Sequence, residues 1–339
     1  MRIFHGLPAE RRARDCALTI GNFDGVHRGH QALLGRLRAR ADAQGLDAVA
    51  CSFEPHPREW FAAVARERAA AAVPARRVRA SDAPPRVSTL RDKLASMADC
   101  GLDATCLLRF DGHLAGMSAV DFVRKVLVEG LRARHLLIGD DFRFGTHRTG
   151  DITLLRAMAD ECGYTVERLD TVTDAPALPG DTSPLRVSSS ALRDALAHGD
   201  LPLAARLLGR PYAISGHVLH GRKLGRQLGF PTLNVRLWRP ALHALARPAL
   251  SGVFAVRVHG LADGALPGVA SLGTRPAVER HGAWLLETHL FDFSRQVYGR
   301  CVTVEFVAWL REERHYDSLD LLTEQIGRDA REARAILSC

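Results

Sequence analysis

The sequence predicts two modules in one chain of 339 residues. The first is a doubly wound α/β module with a parallel sheet, and the second a small antiparallel β-barrel followed by a C-terminal helix. Three observations carry this expectation. Apolar runs of strand length alternate with segments of helical period through the first half, as in parallel sheets with crossover helices. After Pro211 short β-rich runs separated by Gly and Pro turns take over. The length also exceeds what a single hydrophobic core usually organises.

The elements follow in order. Ala17–Ile20 is a short apolar strand that runs into the glycine-rich segment Gly21–Gly29, and Leu33, Leu34, Leu37 and Ala41 then lie on one helical face. Ala48–Phe53 and Thr105–Phe110 read as further strands. Ser118 and Asp121 resemble a capping box before the helical Phe122, Val123, Val126 and Leu127. His135–Gly139 and Tyr164–Leu169 complete the strands. In such sheets the ligand lies beyond the carboxyl ends of the strands, where the unusual loops 21–29 and 139–151 occur. The Ala-, Arg- and Pro-rich stretch 61–85 is expected to be a surface insertion with some helix. Asp200-Leu201-Pro202 begins a helix and Gly209-Arg210-Pro211 ends it, so the expected modules are 1–203 and 204–339. The barrel strands are Tyr212–Leu219, Gly252–Val258, Trp284–Phe291 and Val302–Trp309. Leu319, Leu322, Ile326, Ala330, Ala333 and Ile336 mark one face of the terminal helix.

Composition narrows the function. No apolar run approaches the roughly 18 residues of a membrane helix. The first ten residues lack a signal-peptide pattern, so no membrane role and a cytoplasmic location are expected. The seven cysteines form no Cys-x-x-Cys pair, which argues against a disulfide framework or a zinc site. The net charge of +8 is spread along the chain with no aromatic–basic platform, so nucleic acid is not an expected partner. A basic balance also suits an enzyme whose substrates carry phosphates. A monomer or weak homo-oligomer is expected.

The segment Gly21-Asn22-Phe23-Asp24-Gly25-Val26-His27-Arg28-Gly29-His30 joins a strand to a helix. Its glycines let backbone approach a ligand, and the helix start offers N–H groups to an anion. His27 and His30 can donate hydrogen bonds to phosphate oxygens, which attack on an α-phosphate requires. Further on, Ser188, Ser189 and Ser190 open a helix, and Arg193 adds a bidentate phosphate donor.

The second constellation is Gly221-Arg222-Lys223-Leu224-Gly225-Arg226-Gln227-Leu228-Gly229-Phe230-Pro231-Thr232-Leu233-Asn234. It is a basic glycine loop without the Gly-Lys-Ser/Thr of a Walker A motif. Thr232 and Asn234 share a strand face and offer hard oxygens suited to Mg²⁺ already bridged by ATP phosphates.

These strings resemble a known family. His-x-Gly-His at the first strand–helix turn marks the Rossmann-like nucleotidyltransferases, and the longer segment resembles their FAD synthetase branch. Phe53-Glu54-Pro55-His56-Pro57, Ile138–Gly145 with Gly150-Asp151, and Arg186–Arg193 resemble that branch too, with Ser190 where threonine is frequent. The block ending Pro231-Thr232-Leu233-Asn234 resembles the riboflavin kinase signature, with Leu233 in place of alanine. The resemblance covers nearly the whole chain outside 61–85. It implies a bifunctional enzyme that uses ATP and Mg²⁺ to convert riboflavin to FMN and FMN to FAD. It implies catalytic roles for His27 and His30. It also implies nucleotide contacts from Gly21, Asn22, Phe23, Asp24, Gly29, Asp141, Ser189, Ser190 and Arg193, and from Gly221, Lys223, Gly225, Gly229, Thr232 and Asn234. Glu287 would be the base for the riboflavin 5′-hydroxyl. Ser271 stands where asparagine is usual and receives no role. Two alternatives remain at this point: an adenylyltransferase for another phosphorylated substrate, and a flavin- or RNA-binding regulator built on the same modules.

Overall fold

A computed structural model describes residues 1–9, 14–72, 83–174, 184–221, 225, 228–238, 246–274 and 284–339. They fall into two compact units, Met1–Pro84 with Lys93–Val187 and Pro85–Asp92 with Ser188–Cys339.

The first unit is built on six parallel strands: β1 (Arg2–His5), β2 (Cys16–Ile20), β3 (Asp47–Glu54), β4 (Ala104–Arg109), β5 (Ala133–Gly139) and β6 (Thr165–Leu169). Their order is β1-β4-β3-β2-β5-β6, parallel at every pairing. Helix α1 (Arg28–Gln44) follows β2, α2 (Pro57–Ala72) follows β3, and α3 (Leu90–Asp99) precedes β4. Helix α4 (Ala119–Asp121) continues as a π-helical run, Phe122–Gly130, and α5 (Ile152–Ala157) precedes β6.

All five residues of β2 are buried, because helices cover both faces of the sheet. On one face Ala17 meets Leu33, Leu34, Leu37 and Ala41 of α1 and Met97 of α3. On the other Cys16, Leu18 and Ile20 meet Phe122, Val123, Val126 and Leu127 with Leu155 of α5. Ser118 caps α4 as expected, its Oγ accepting the Asp121 N–H at 3.0 Å. From β2 the chain moves to β3 on one side and later returns to β5 on the other. The β2/β5 border is therefore the topological switch point, and the loops 21–29 and 140–151 leave the carboxyl ends of those two strands.

Two short strands, β7 (Thr173–Asp174) and β8 (Leu185–Arg186), pair antiparallel before the second unit. That unit begins with α6 (Ser189–Ala197) and α7 (Leu201–Leu208), N-capped by Ser188 and Asp200, with Gly209 ending α7 in a left-handed cap. Strands β9 (Ala213–Leu219), β10 (Thr232–Arg236), β11 (Gly252–His259), β12 (Leu266–Thr274), β13 (Trp284–Leu290) and β14 (Cys301–Arg311) close a barrel in the order β10-β13-β12-β11-β14-β9. Every neighbour is antiparallel. Phe254 and Phe306 meet edge to face at 5.0 Å in its core. The segment Pro85–Asp92 belongs to this unit. The Val87 carbonyl accepts the Tyr212 hydroxyl at 2.9 Å, and the Asp92 carboxylate accepts the Ser215 N–H at 3.2 Å. Burial pushes the Asp92 carboxyl up, against the pull of its hydrogen bonds from Thr89 and Ser215.

Helix α8 (Leu319–Leu337) lies against Val253, Ala255, Val269 and Phe291 through Ala330, Ala333 and Leu337. Of the face read from the sequence, Ala330 and Ala333 pack inward, while Leu319 at 55% and Ile336 at 41% exposure fall outside the packed side. Apolar spacing could not register Asp329, which is 4% exposed and grips Arg311 through contacts of 2.6, 2.9 and 3.1 Å. Leu337 is buried on the same side. Strand β1 and helix α3 were not foreseen: β1 is only four residues long, and α3 carries a lysine on its buried face. Asp329→Ala would leave the Arg311 guanidinium mostly buried without its carboxylate, and a loss of about 3 kcal/mol is expected in urea denaturation of the full chain. A change below about 1 kcal/mol would mean that the ion pair does not fix the helix.

Candidate active sites

The first candidate site is the turn that leaves β2. The Gly21 N–H donates to the Cys51 carbonyl at 3.0 Å and carries the ladder one residue into the loop. A side chain at Gly21 would crowd the Phe23 ring at 3.1 Å. Phe23 (φ 49°) and Val26 (φ 42°) are left-handed without being glycine. Such conformations cost on the order of 1–3 kcal/mol each and persist where surrounding structure enforces them. Here the Phe23 ring is 1% and Val26 0% exposed, while Gln31 donates to the Val26 carbonyl at 2.8 Å. Asp24 is buried beside them.

His27 is the N-cap of α1. Its Nδ1 accepts the His30 N–H at 3.3 Å, which leaves the ring hydrogen of the neutral imidazole on Nε2. The structure thus narrows the sequence expectation: one nitrogen of His27 serves the helix and the other is the donor. The His27 and His30 rings stack at 3.7 Å with 15° between planes, and Phe23 meets His30 edge-on at 5.2 Å. A side chain at Gly29 would crowd the His27 ring, since a Cβ would lie 3.2 Å from His27 Nδ1 and 3.4 Å from the Val187 carbonyl. Gly21, Asn22, Phe23, Asp24, His27, Gly29 and His30 thus share one compact turn at the switch point.

The loop after β5 is closed by mutual backbone bonds between Phe144 and Gly150 at 2.9 and 3.1 Å. A side chain at Gly150 would collide with the Phe144 ring. Asp151 caps α5; the Leu154 N–H and then the Arg143 guanidinium at 2.5 Å hold its carboxyl below the usual range. Asp141 pairs with Arg186 at 3.1 Å on the surface. Ser189 and Ser190 occupy the first turn of α6 and Arg193 donates to the Pro85 carbonyl at 2.7 Å, all within the second unit.

The second candidate site lies on the outer face of the barrel. Thr232 and Asn234 share a face of β10, and Asn234 is directly opposite Glu287 of β13, which in turn is opposite Ser271 of β12. Directly opposed residues of antiparallel strands project to the same side. Asn234, Glu287 and Ser271 therefore form a polar row across three strands, next to Thr232 and its partner His289. A side chain at Gly221 would overlap the Asn234 amide, and one at Gly225 the Phe230 carbonyl. Gly221 consequently lies against Asn234, and Gly225 against Phe230 and Thr232. Gly229 is left-handed (φ 84°). Lys223 lies outside the described residues.

Sequence reasoning missed two groups. Ser271 donates to Glu313, whose carboxylate occupies the space over Gly273. No sequence signal joins positions 42 residues apart. Lys93, 6% exposed, donates to the Asn22 carbonyl at 3.3 Å and to Ser52 Oγ at 3.1 Å beneath the first loop. Its position in register with Leu90 and Met97 was the available signal.

Known proteins match in the same order as the two sites. Residues 9–177 fit the FAD synthetase family model and residues 208–337 the riboflavin kinase model. The bifunctional riboflavin kinase/FMN adenylyltransferase of Pseudomonas fluorescens is 43% identical over 337 residues, 99% of this chain and 97% of the relative. That of Escherichia coli K12 is 42% identical over 94% of this chain and 92% of its own length. That of Haemophilus influenzae is 40% identical over the full length of both. A solved Streptococcus pneumoniae structure described as a macrolide-efflux protein gives a TM-score of 0.68 over 97% of this chain and 95% of that chain, and at 23% identity this is a likeness of fold alone. With both family models matched in sequence order and relatives similar from end to end, the chain belongs to the bifunctional riboflavin kinase/FMN adenylyltransferase family.

Proposed function

We propose that the chain phosphorylates riboflavin to FMN on the outer face of the barrel and adenylylates FMN to FAD at the β2–α1 turn. Residues 204–339 are assigned to the first reaction and 1–203, which include Ser189, Ser190 and Arg193, to the second. The single observation that carries this reading is the direct pairing of Glu287 with Asn234, against which Gly221 lies. It puts a carboxylate directly beside a residue suited to a nucleotide.

In the kinase reaction Glu287 orients the riboflavin 5′-hydroxyl and takes its proton as the oxygen attacks the ATP γ-phosphorus, while the bond from that phosphorus to the β,γ-bridging oxygen breaks and ADP leaves. Gly221, Gly225 and Gly229 let backbone come close to the phosphates, and Lys223 is assigned a charged contact to the same nucleotide. Among the described residues no cluster of three His, Cys, Asp or Glu side chains could hold a metal. The neutral oxygens of Thr232 and Asn234 fit a hard cation that arrives on ATP. Mg²⁺ bound there supplies charge neutralisation for the transferring phosphoryl group.

In the second reaction an FMN phosphate oxygen attacks the ATP α-phosphorus and the bond to pyrophosphate breaks. The nucleophile is already an anion, so no strong base is needed. His27 Nε2–H, His30 and the N-terminus of α1 donate to oxygens that gain charge. Gly21, Asn22, Phe23, Asp24 and Gly29 shape the turn around the phosphates, while Asp141, Ser189, Ser190 and Arg193 complete the nucleotide contacts. ATP and flavins are the partners, in the cytoplasm, with the protein acting as a monomer or weak homo-oligomer.

Glu287→Gln keeps the side-chain shape and removes the proton acceptor. FMN formation is expected to slow by about 100-fold, with substrate KM values changing far less and FAD formation from supplied FMN continuing. Near-normal kinase turnover in steady-state assays would return Glu287 to an ordinary strand residue. His30→Ala is expected to slow FAD formation by about 100- to 1,000-fold while riboflavin is still phosphorylated. Chromatographic separation of riboflavin, FMN and FAD reads both activities at once, and an equal fall in both would overturn the separation of the sites.

A further inference from the structure

Lys93 occupies a position where a lysine is costly. It shares the inward face of α3 with Met97, which is 0% exposed, and is itself 6% exposed. A charge removed from water has to find polar partners. Its ammonium donates to the Asn22 carbonyl at 3.3 Å and to Ser52 Oγ at 3.1 Å, and the Ser52 hydroxyl donates to the same carbonyl at 3.3 Å. That carbonyl belongs to the planar Asn22–Phe23 peptide, so holding it fixes the chain just before the left-handed Phe23. Everything the turn presents to a phosphate follows within eight residues: the Phe23 ring against His30, the His27 cap and the stacked imidazoles.

We propose that Lys93 is a positioning residue for adenylyl transfer, a buried cation that clamps the Asn22–Phe23 peptide and lends positive charge beneath the phosphate-binding turn. The proposal rests on the assignment of adenylyl transfer to the turn that bears His27 and His30. Lys93 touches no substrate; it acts by keeping the donors where charge develops. It also explains why an ammonium, and not an apolar side chain, faces the core at this point.

The test uses full-length enzyme. Lys93→Met keeps the packing and removes the charge. Its kcat for FAD formation is expected to fall by about 10- to 100-fold, the effect of misplaced catalytic groups, while riboflavin phosphorylation is unaffected. Lys93→Ala should regain FAD formation when n-propylammonium is added, but not with 1-propanol, a neutral molecule of similar size. A Lys93→Met enzyme that makes FAD at the wild-type rate, or equal rescue by the alcohol, would reduce Lys93 to a packing residue. If Lys93→Met loses its fold, judged by circular dichroism and kinase activity, Ser52→Ala reports on the same clamp. It should lower FAD formation by about threefold or more, the loss of one modest hydrogen bond, and no change would overturn the proposal. His30→Ala is assayed alongside. Normal FAD formation there sinks the histidine assignment and the role of Lys93 with it. A crippled His30→Ala beside a normal Lys93→Met sinks the role of Lys93 alone.

Discussion

The pairing of β2 between β3 and β5 is the constraint on which the first unit depends. A one-residue slip of β2 would carry Leu18 and Ile20 to the side packed around Ala17, so close packing on both faces fixes its register. Because the chain leaves β2 in one direction and returns to β5 from the other, the carboxyl ends of these strands cannot both be covered by crossovers. The turn between β2 and α1 grows from that gap. It starts at a backbone bond to β3 and ends as the cap of α1, so the sheet and the helix between them set the strained backbone of Phe23 and Val26.

The barrel reaches a comparable end by other means. A closed antiparallel ladder sets Asn234, Glu287 and Ser271 side by side across three strands, and Gly221 lies close because it has no side chain to strike Asn234. In both units glycine serves close approach: Gly29 makes room for the His27 ring as Gly221 does for the Asn234 amide.

The two chemistries match the side chains supplied. An alcohol needs a proton acceptor to become a nucleophile, and the barrel row holds a carboxylate. A phosphate monoester arrives charged, and the turn offers donors. The tautomer of His27 is part of that arrangement, since using Nδ1 as the helix cap commits Nε2 to donation.

Much of this was legible in the sequence. The order of modules, the strand–turn–helix at 16–44, the caps at Ser118 and Asp200 and the glycine loop before β10 follow from local rules, in which neighbouring residues decide the backbone. The shared face of Thr232 and Asn234 follows from the two-residue period of a strand. Other features depend on partners distant in sequence, to which local patterns are blind. Asn234 meets Glu287 only through barrel register. Glu313 reaches Ser271 across 42 positions, and Lys93 finds Asn22 across 71. On the inward side of α8, Asp329 pairs with Arg311 beside the apolar contacts, an electrostatic contact that no apolar count contains. Thus the sequence by itself determined which elements form and which chemistry each loop can carry, because those depend on local periodicity, glycine and capping. The tertiary structure alone decided which side chains stand next to one another, because strand register and burial are properties of the assembled sheet and barrel.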